Sequence, residues 1–183
     1  MDGPGRIGVF VRLRPLVSAE RAAGAAEAFK PSADATSVVD ITAAQAWSYS
    51  LGVSGWESST VDVYRATLPA LVRAVAAGVN ASVMCYGATG SGKTYTTSGD
   101  GEAPGLVDLT LRDLFASLAS QPATAHRVSI SVVELYMEAI RDLLRDGSDG
   151  GGGGGAAGGT SLAVYGASAV RPRSRDVSRR TLD

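Results

Sequence analysis

The 183 residues carry 17 Lys and Arg against 18 Asp and Glu, a formal net charge of −1 with a pI near 5.8, so no global field favours nucleic acid or an acidic surface. A hydrophobic content of 45% permits a core, and the length allows one domain with a tail. One cysteine, Cys85, excludes an internal disulfide and fits a reducing compartment, no leader-like start is present, and no apolar run approaches the roughly 18 residues of a membrane helix, so the expectation is a soluble cytoplasmic protein with no nucleic-acid or membrane partner.

In chain order, residues 7–13 (IGVFVRL) predict a first strand that Pro15 ends. Arg12 and Arg14 share the face opposite Leu13 at period two; alone, they read as two solvated arginines at a strand end. Residues 18–36 are Ala-rich and polar, a loop with a helical turn over 19–28. Residues 37–42 (SVVDIT) and 47–53 (WSYSLGV) predict two short strands paired as a hairpin. Ser59 or Thr60 then caps a helix on which Val61, Tyr64, Leu68, Leu71, Val72 and Val75 recur at three- and four-residue steps. Gly78 stops it, and Pro69 inside the pattern kinks or splits it. Tyr64 lies on the apolar stripe and belongs to the core.

Residues 81–86 (ASVMCY) form a short, mostly apolar run that suits a strand. Gly87, Ala88, Thr89, Gly90, Ser91, Gly92, Lys93 and Thr94 follow at once and match G-x-x-x-x-G-K-[ST]. Residues able to start a helix come next. A polyphosphate needs many donors at close range. Glycines without a Cβ let the backbone curl and point successive N–H groups inward, and a following helix start adds a favourable dipole. Lys93 would reach the β- and γ-phosphates, and the Thr94 hydroxyl would ligate Mg²⁺. With 23 glycines in the chain, glycine alone says little. Lysine says more, because Lys30 and Lys93 are the only two and one completes the motif. The competing reading is a glycine-rich turn after a strand.

A turn over 98–104 leads to a second helix, with Leu106, Leu109, Leu111, Leu114, Phe115 and Leu118 on its buried side. Residues 128–136 (VSISVVELY) alternate as a strand, and His126 just before it is expected at the surface. Glu134 and Glu138 read as strand-end charges near Arg141, and residues 140–144 as a short helical or extended piece that packs back. Residues 147–159 (GSDGGGGGGAAGG) cannot bury a core and read as a flexible linker. The domain expectation is therefore 1–145, then a Gly-rich linker over 146–160, then 161–183. A strand over 162–170 belongs to this last part. So do Arg171, Arg173, Arg175, Arg179 and Arg180, read as a solvated end or as a salt-sensitive contact to an acidic surface.

Four blocks together resemble the N-terminal half of a kinesin motor domain, over about residues 6–145. They are V-R-L-R-P-L at 11–16, V-Y-R-A-T-L-P-A-L-V at 63–72, N-A-S-V-M-C-Y-G-A-T-G-S-G-K-T-Y-T-T-S-G at 80–99, and V-V-E-L-Y-M-E-A-I-R-D-L-L at 132–144. The resemblance implies an α/β fold of the P-loop NTPase type, a central, mostly parallel sheet flanked by helices, here incomplete. It implies ATP and Mg²⁺ as cofactors, the microtubule (tubulin) as partner, and a cytoskeletal location. Arg12, Arg14 and Pro15 match the family's adenine-side motif, Tyr95 a position near the adenine, and residues 87–94 the phosphate cradle. No residue is assigned a catalytic role.

Departures from the family pattern are Ala88 for glutamine, Thr97 for methionine and Met137 for asparagine. Nothing matches the family's N-x-x-S-S-R-S-H segment, which senses the γ-phosphate, or its D-x-A-G segment, which supplies a second acidic group near Mg²⁺ and couples hydrolysis to motion. The expectation is a chain that binds ATP but alone hydrolyses it slowly or not at all, with a partner chain covering the missing sheet strands. Two other readings stay open. One is a P-loop NTPase of another family, which would need an acidic residue ending a hydrophobic strand after the loop. The other is a non-enzymatic interaction module or relic with a vestigial nucleotide loop.

Overall fold

The computed structural model describes residues 7–121, 126–143, 160–162 and 175–176, and the chain divides into two units, Met1–Ala123 and Thr124–Asp183. In the first unit, strand β1 (Phe10–Arg12) ends ahead of Pro15, as its sequence predicts. After helix α1 (Ser18–Ala22) come β2 (Phe29–Pro31), β3 (Ser37–Asp40), β4 (Ala46–Ser48) and β5 (Gly52–Ser54). Strands β2, β3 and β4 form an antiparallel sheet in that order, with Val38 opposite Trp47. The expected hairpin is β3–β4. The second run of that hairpin divides, however, and β5 turns away to pair in parallel with β1, Phe10 opposite Gly52 and Arg12 opposite Ser54. Strand β2 falls where a loop was expected. Pro31 occupies an edge strand, where a missing N–H leaves no central ladder bond unmade.

Ser59 caps α2 (Thr60–Thr67) with a reciprocal pair: the Asp62 N–H donates to Ser59 Oγ at 3.2 Å, and the Ser59 N–H donates to Asp62 Oδ2 at 3.0 Å. Pro69 splits the helical pattern. Helix α3 (Pro69–Ala76) starts on the proline itself, whose fixed φ suits a first helical position. Helices α4 (Lys93–Ser98) and α5 (Leu106–Ala119) follow. Val63, Tyr64, Leu68 and Leu106 form the buried cluster, with Phe10 and Leu109 packed against it. Tyr64 is a core residue, as expected, and its hydroxyl donates to Asp113 Oδ2 at 2.6 Å, joining α2 to α5. Burial first, and the Asp113 carboxylate second, push the Tyr64 hydroxyl well above the usual phenol range. Phe115 was expected on the buried side of α5 but is 43% exposed. The inward stripe runs through 106, 109, 110, 113 and 114 at helical spacing, and Phe115 lies one residue past it.

In the second unit, β6 (Ser129–Ile130) pairs antiparallel with β10 (Arg175–Asp176). Strands β7 (Val133–Tyr136), β8 (Ala139–Asp142) and β9 (Thr160–Leu162) form an antiparallel sheet in that order. The single strand expected over 128–136 is therefore two, broken at 131–132. Of the piece expected over 140–144, residues 140–142 belong to the extended β8, which pairs back on β7 with Glu134 opposite Arg141 in register, and residue 144 lies outside the described residues. Met137 and Glu138 make the turn with φ of 47° and 63°, both left-handed, as a two-residue hairpin loop requires. His126 is exposed, as expected. Of the strand expected over 162–170, Leu162 alone is described, as the last residue of β9. Residues 147–159, residues 163–170 and the arginines at 171, 173, 179 and 180 lie outside the described residues.

The run 81–86 departs furthest from expectation. It joins no ladder, and all six residues are exposed, Met84 at 88% and Tyr86 at 96%. An apolar, β-prone run becomes a strand only where a neighbour pairs its N–H and C=O groups, and none of the described strands lies beside it. The parallel pairing among the described residues is that of β1 with β5. No helix among them is long and apolar enough to cross a membrane.

Candidate nucleotide site

The glycine loop leaves the exposed run at Gly87 and enters α4 at Lys93. Gly90 and Gly92 hold φ of 79° and 92°, left-handed values that side-chain-bearing residues rarely adopt. A Cβ on Gly87 would come within 2.5 Å of Ser91 Oγ, so a larger residue there would force the Ser91 side chain to turn aside. The loop curls back on itself. Lys93 Nζ donates to the carbonyls of Gly87 and Ala88, each at 2.9 Å. A cation is thus already placed at the mouth of the curl. Ala88, Thr89, Gly90 and Ser91 are exposed, as is Thr94 on the first turn of α4.

Beside the loop opens a cleft of about 770 Å³. One wall is β1 and its continuation, with Phe10, Arg12, Arg14 and Pro15; the other holds residues 82–86; Ser91, Gly92, Lys93, Tyr95 and Thr96 form the loop end. The sequence-predicted residues Arg12, Arg14, Pro15, Ser91, Gly92, Lys93 and Tyr95 are therefore brought together. Gly87, Ala88, Thr89, Gly90 and Thr94 lie outside this lining.

The two arginines have different surroundings. Arg12 Nη1 donates to Thr60 Oγ1 at 3.1 Å and to Thr96 Oγ1 at 2.9 Å, and Nη2 donates to the Ser58 carbonyl at 3.1 Å. Its guanidinium also lies 5.3 Å from the centre of the Tyr95 ring, within cation–π range. Arg12 thus ties β1 to the start of α2 and to α4. Arg14 donates to Glu20 from both Nη atoms, at 2.9 and 2.6 Å, and from Nη1 to the Pro15 carbonyl at 3.0 Å. The Arg14 hydrogen bond, and next the Val17 N–H, hold the Glu20 carboxyl down at about 2.

Thr60, Thr96 and Glu20 were not found from the sequence. Thr60 was legible only as a helix start, and Thr96 only as a residue of the helix after the loop. Glu20 sits six residues from its partner, a spacing that no regular element announces.

The residues present fit a nucleoside polyphosphate. The loop has the curl and the cation, and its far side opens onto a cleft with room for a base. For Mg²⁺ the fit is to a shared site. No cluster of three metal-ligating side chains occurs among the described residues, so a protein cage is absent there. Thr94 would supply one oxygen, with substrate phosphates and retained waters supplying the rest.

A family model described as Kinesin motor domain matches residues 12–163. Kinesin-like protein KIN-7D, mitochondrial, from Arabidopsis thaliana is 36% identical over 138 residues, covering 75% of this chain and 13% of that protein. Kinesin-like protein KIN-8A from the same organism is 38% identical over 154 residues, covering 78% and 21%. Kinesin-like protein 6 from Schizosaccharomyces pombe is 45% identical over 91 residues, covering 49% and 12%. The chain thus spans between about an eighth and a fifth of the length of these relatives.

Proposed function

Because this chain belongs to the kinesin motor domain family, we propose that its loop and cleft bind ATP with Mg²⁺ as the nucleotide-binding part of a microtubule motor of the cytoskeleton. The observation that carries this reading is the junction of two features: a curled G-x-x-x-x-G-K-T loop opens onto a cleft walled by Arg12, Arg14, Pro15 and Tyr95. In this reading residues 87–94 hold the phosphates, and Arg14, Pro15 and Tyr95 lie on the base side. Lys93 would exchange two neutral carbonyls for charged phosphate oxygens, which are stronger acceptors for an ammonium. The Thr94 hydroxyl would help hold Mg²⁺, which would supply neutralisation of the phosphate charge.

We propose further that this chain by itself turns ATP over slowly. Glu57 is the one carboxylate lining the cleft among the described residues, and it precedes α2 beside Trp56 rather than lying on the loop. Phosphoryl transfer depends on a positioned water and on charge stabilisation, and binding alone supplies neither in full. A second reading is an interaction module with a vestigial loop. It is favoured by Val83, Met84 and Tyr86, which present an exposed apolar run that a partner chain could cover.

The test is titration of a fluorescent ATP analogue with Mg²⁺ against wild type and Lys93→Ala, with turnover read from the same samples with and without microtubules. Lys93-dependent binding with little turnover is expected, the variant binding about 30-fold or more weakly, as befits loss of one partner from a charge pair. Microtubule-stimulated turnover would overturn the slow-turnover proposal. No binding by wild type would favour the interaction module.

A further inference from the structure

Arg14 is fixed by its edge. Both Nη atoms face Glu20, and Nη1 also reaches the Pro15 carbonyl. Hydrogen bonds in the plane of a guanidinium do not use its flat faces, which are what stack on planar rings, and the Arg14 side chain is 32% exposed. Its stem passes the loop: Arg14 Cδ would lie 3.8 Å from a Cβ placed on Gly92. Arg14, Pro15 and Val17 line the cleft together, next to Gly92 and Lys93. Glu20 itself is placed twice over, because it also accepts the Val17 N–H at 2.8 Å at the start of α1. One carboxylate therefore sets both the entry of the chain into α1 and the plane of Arg14.

We propose that Glu20 is a positioning residue for the base of the bound nucleotide, holding the Arg14 guanidinium edge-on so that its face meets the ring. The proposal rests on the nucleotide-site reading above and adds to it a division of labour. The loop at 87–94 binds triphosphate whatever is attached to it, whereas the Arg14–Glu20 pair acts only when a planar base is present. Glu20 stays charged at any pH above about 5, since its carboxyl is held near 2, so the pair is constant across the neutral range.

The experiment compares ATP with inorganic tripolyphosphate, both with Mg²⁺, in competition against a fluorescent ATP analogue on the full chain. The proteins are wild type, Glu20→Ala, Glu20→Gln, Arg14→Ala and the Glu20→Ala/Arg14→Ala double variant. Glu20→Ala is expected to weaken ATP about five- to tenfold, the scale of one lost charge-assisted hydrogen-bonded restraint, and to leave tripolyphosphate within about twofold. Glu20→Gln keeps the shape and one acceptor and should fall between. The double variant should bind ATP no worse than Arg14→Ala alone, because the two residues act as one unit. Equal weakening of both ligands would show a merely structural role and overturn the proposal, as would unchanged ATP binding in Glu20→Ala. Wild type that binds neither ligand would sink the nucleotide reading itself. Wild type that binds both, with Glu20 indifferent, would sink only this inference.

Discussion

Strand β1 and the run 81–86 wall the same cleft and are both rich in apolar and β-prone residues, but they differ in every bond that holds them. Strand β1 is paired along its length with β5. Its flanks are tied as well, with the Leu13 N–H donating to the Ser54 carbonyl at 3.0 Å and the Leu51 N–H to the Val9 carbonyl at 2.9 Å. Phe10 packs on the buried cluster, and Arg12 reaches across to α2 and α4. Residues 81–86 have no ladder, and their side chains are exposed. The difference teaches that the loop is anchored from its downstream side. Lys93, Tyr95 and Thr96 face β1 through Arg12 and the cleft, while the upstream approach contributes little order.

The largest expected effect therefore belongs to Arg12. Arg12→Ala removes the tie between β1, α2 and α4 and leaves the hydroxyl of Thr60, a residue 2% exposed, without its Arg12 donor. A loss of about 2–4 kcal/mol is expected in urea unfolding, the range for breaking a partly buried charged network. Arg12→Lys should recover only part of it, because an ammonium cannot span three acceptors in a plane. A loss under about 0.5 kcal/mol, the usual scale of a surface change, would mean that β1 is held by its ladder alone.

Next comes Tyr64, the core residue that pins α2 to α5. Tyr64→Phe keeps the packing and removes the hydroxyl's bond to Asp113, for an expected cost of about 1 kcal/mol. The pH dependence carries a sign that can be checked. The folded-state pKa of Tyr64 is raised, so the folded chain holds a proton that the unfolded chain releases near pH 10. This contribution is fully present below pH 10 and is lost as pH rises above it. Wild-type stability should fall above pH 10 more steeply than that of Tyr64→Phe. Parallel curves would show that the hydroxyl is not held in the core.

These contrasts explain what was readable in the sequence. The Ser59 cap, the Pro69 break, the Gly78 stop and the β3–β4 hairpin are set by bonds within a few residues, and each could be named from residue type. The glycine loop was legible for the same reason. The β7–β8 turn was not, because Met137 and Glu138 are not the residues that left-handed turns favour. Membership of β5 in a parallel pair, the exposure of Phe115 and the attachment of Arg12 to Thr60 and Thr96 all depend on contacts far along the chain, about which local pattern is silent. Residues 81–86 show the same limit from the other side. Their composition suits a strand, yet strand formation is a property of two segments and not of one.

The smallest expected effect tests this last point. Cys85 is free and exposed in the middle of the run. If 81–86 stands outside any sheet, a thiol reagent such as DTNB should label the native chain nearly as fast as the urea-unfolded chain, within about twofold, because no opening reaction precedes attack. Inclusion of the run in a closed sheet would bury the thiol and couple labelling to unfolding, slowing it by orders of magnitude. The measurement also bears on the cleft, whose wall includes Cys85. ATP at the loop end should leave the labelling rate unchanged if the loop is ordered from β1 and α4. A marked slowing with ATP would show instead that the nucleotide draws 81–86 into order, and would move the anchor of the loop to its upstream side.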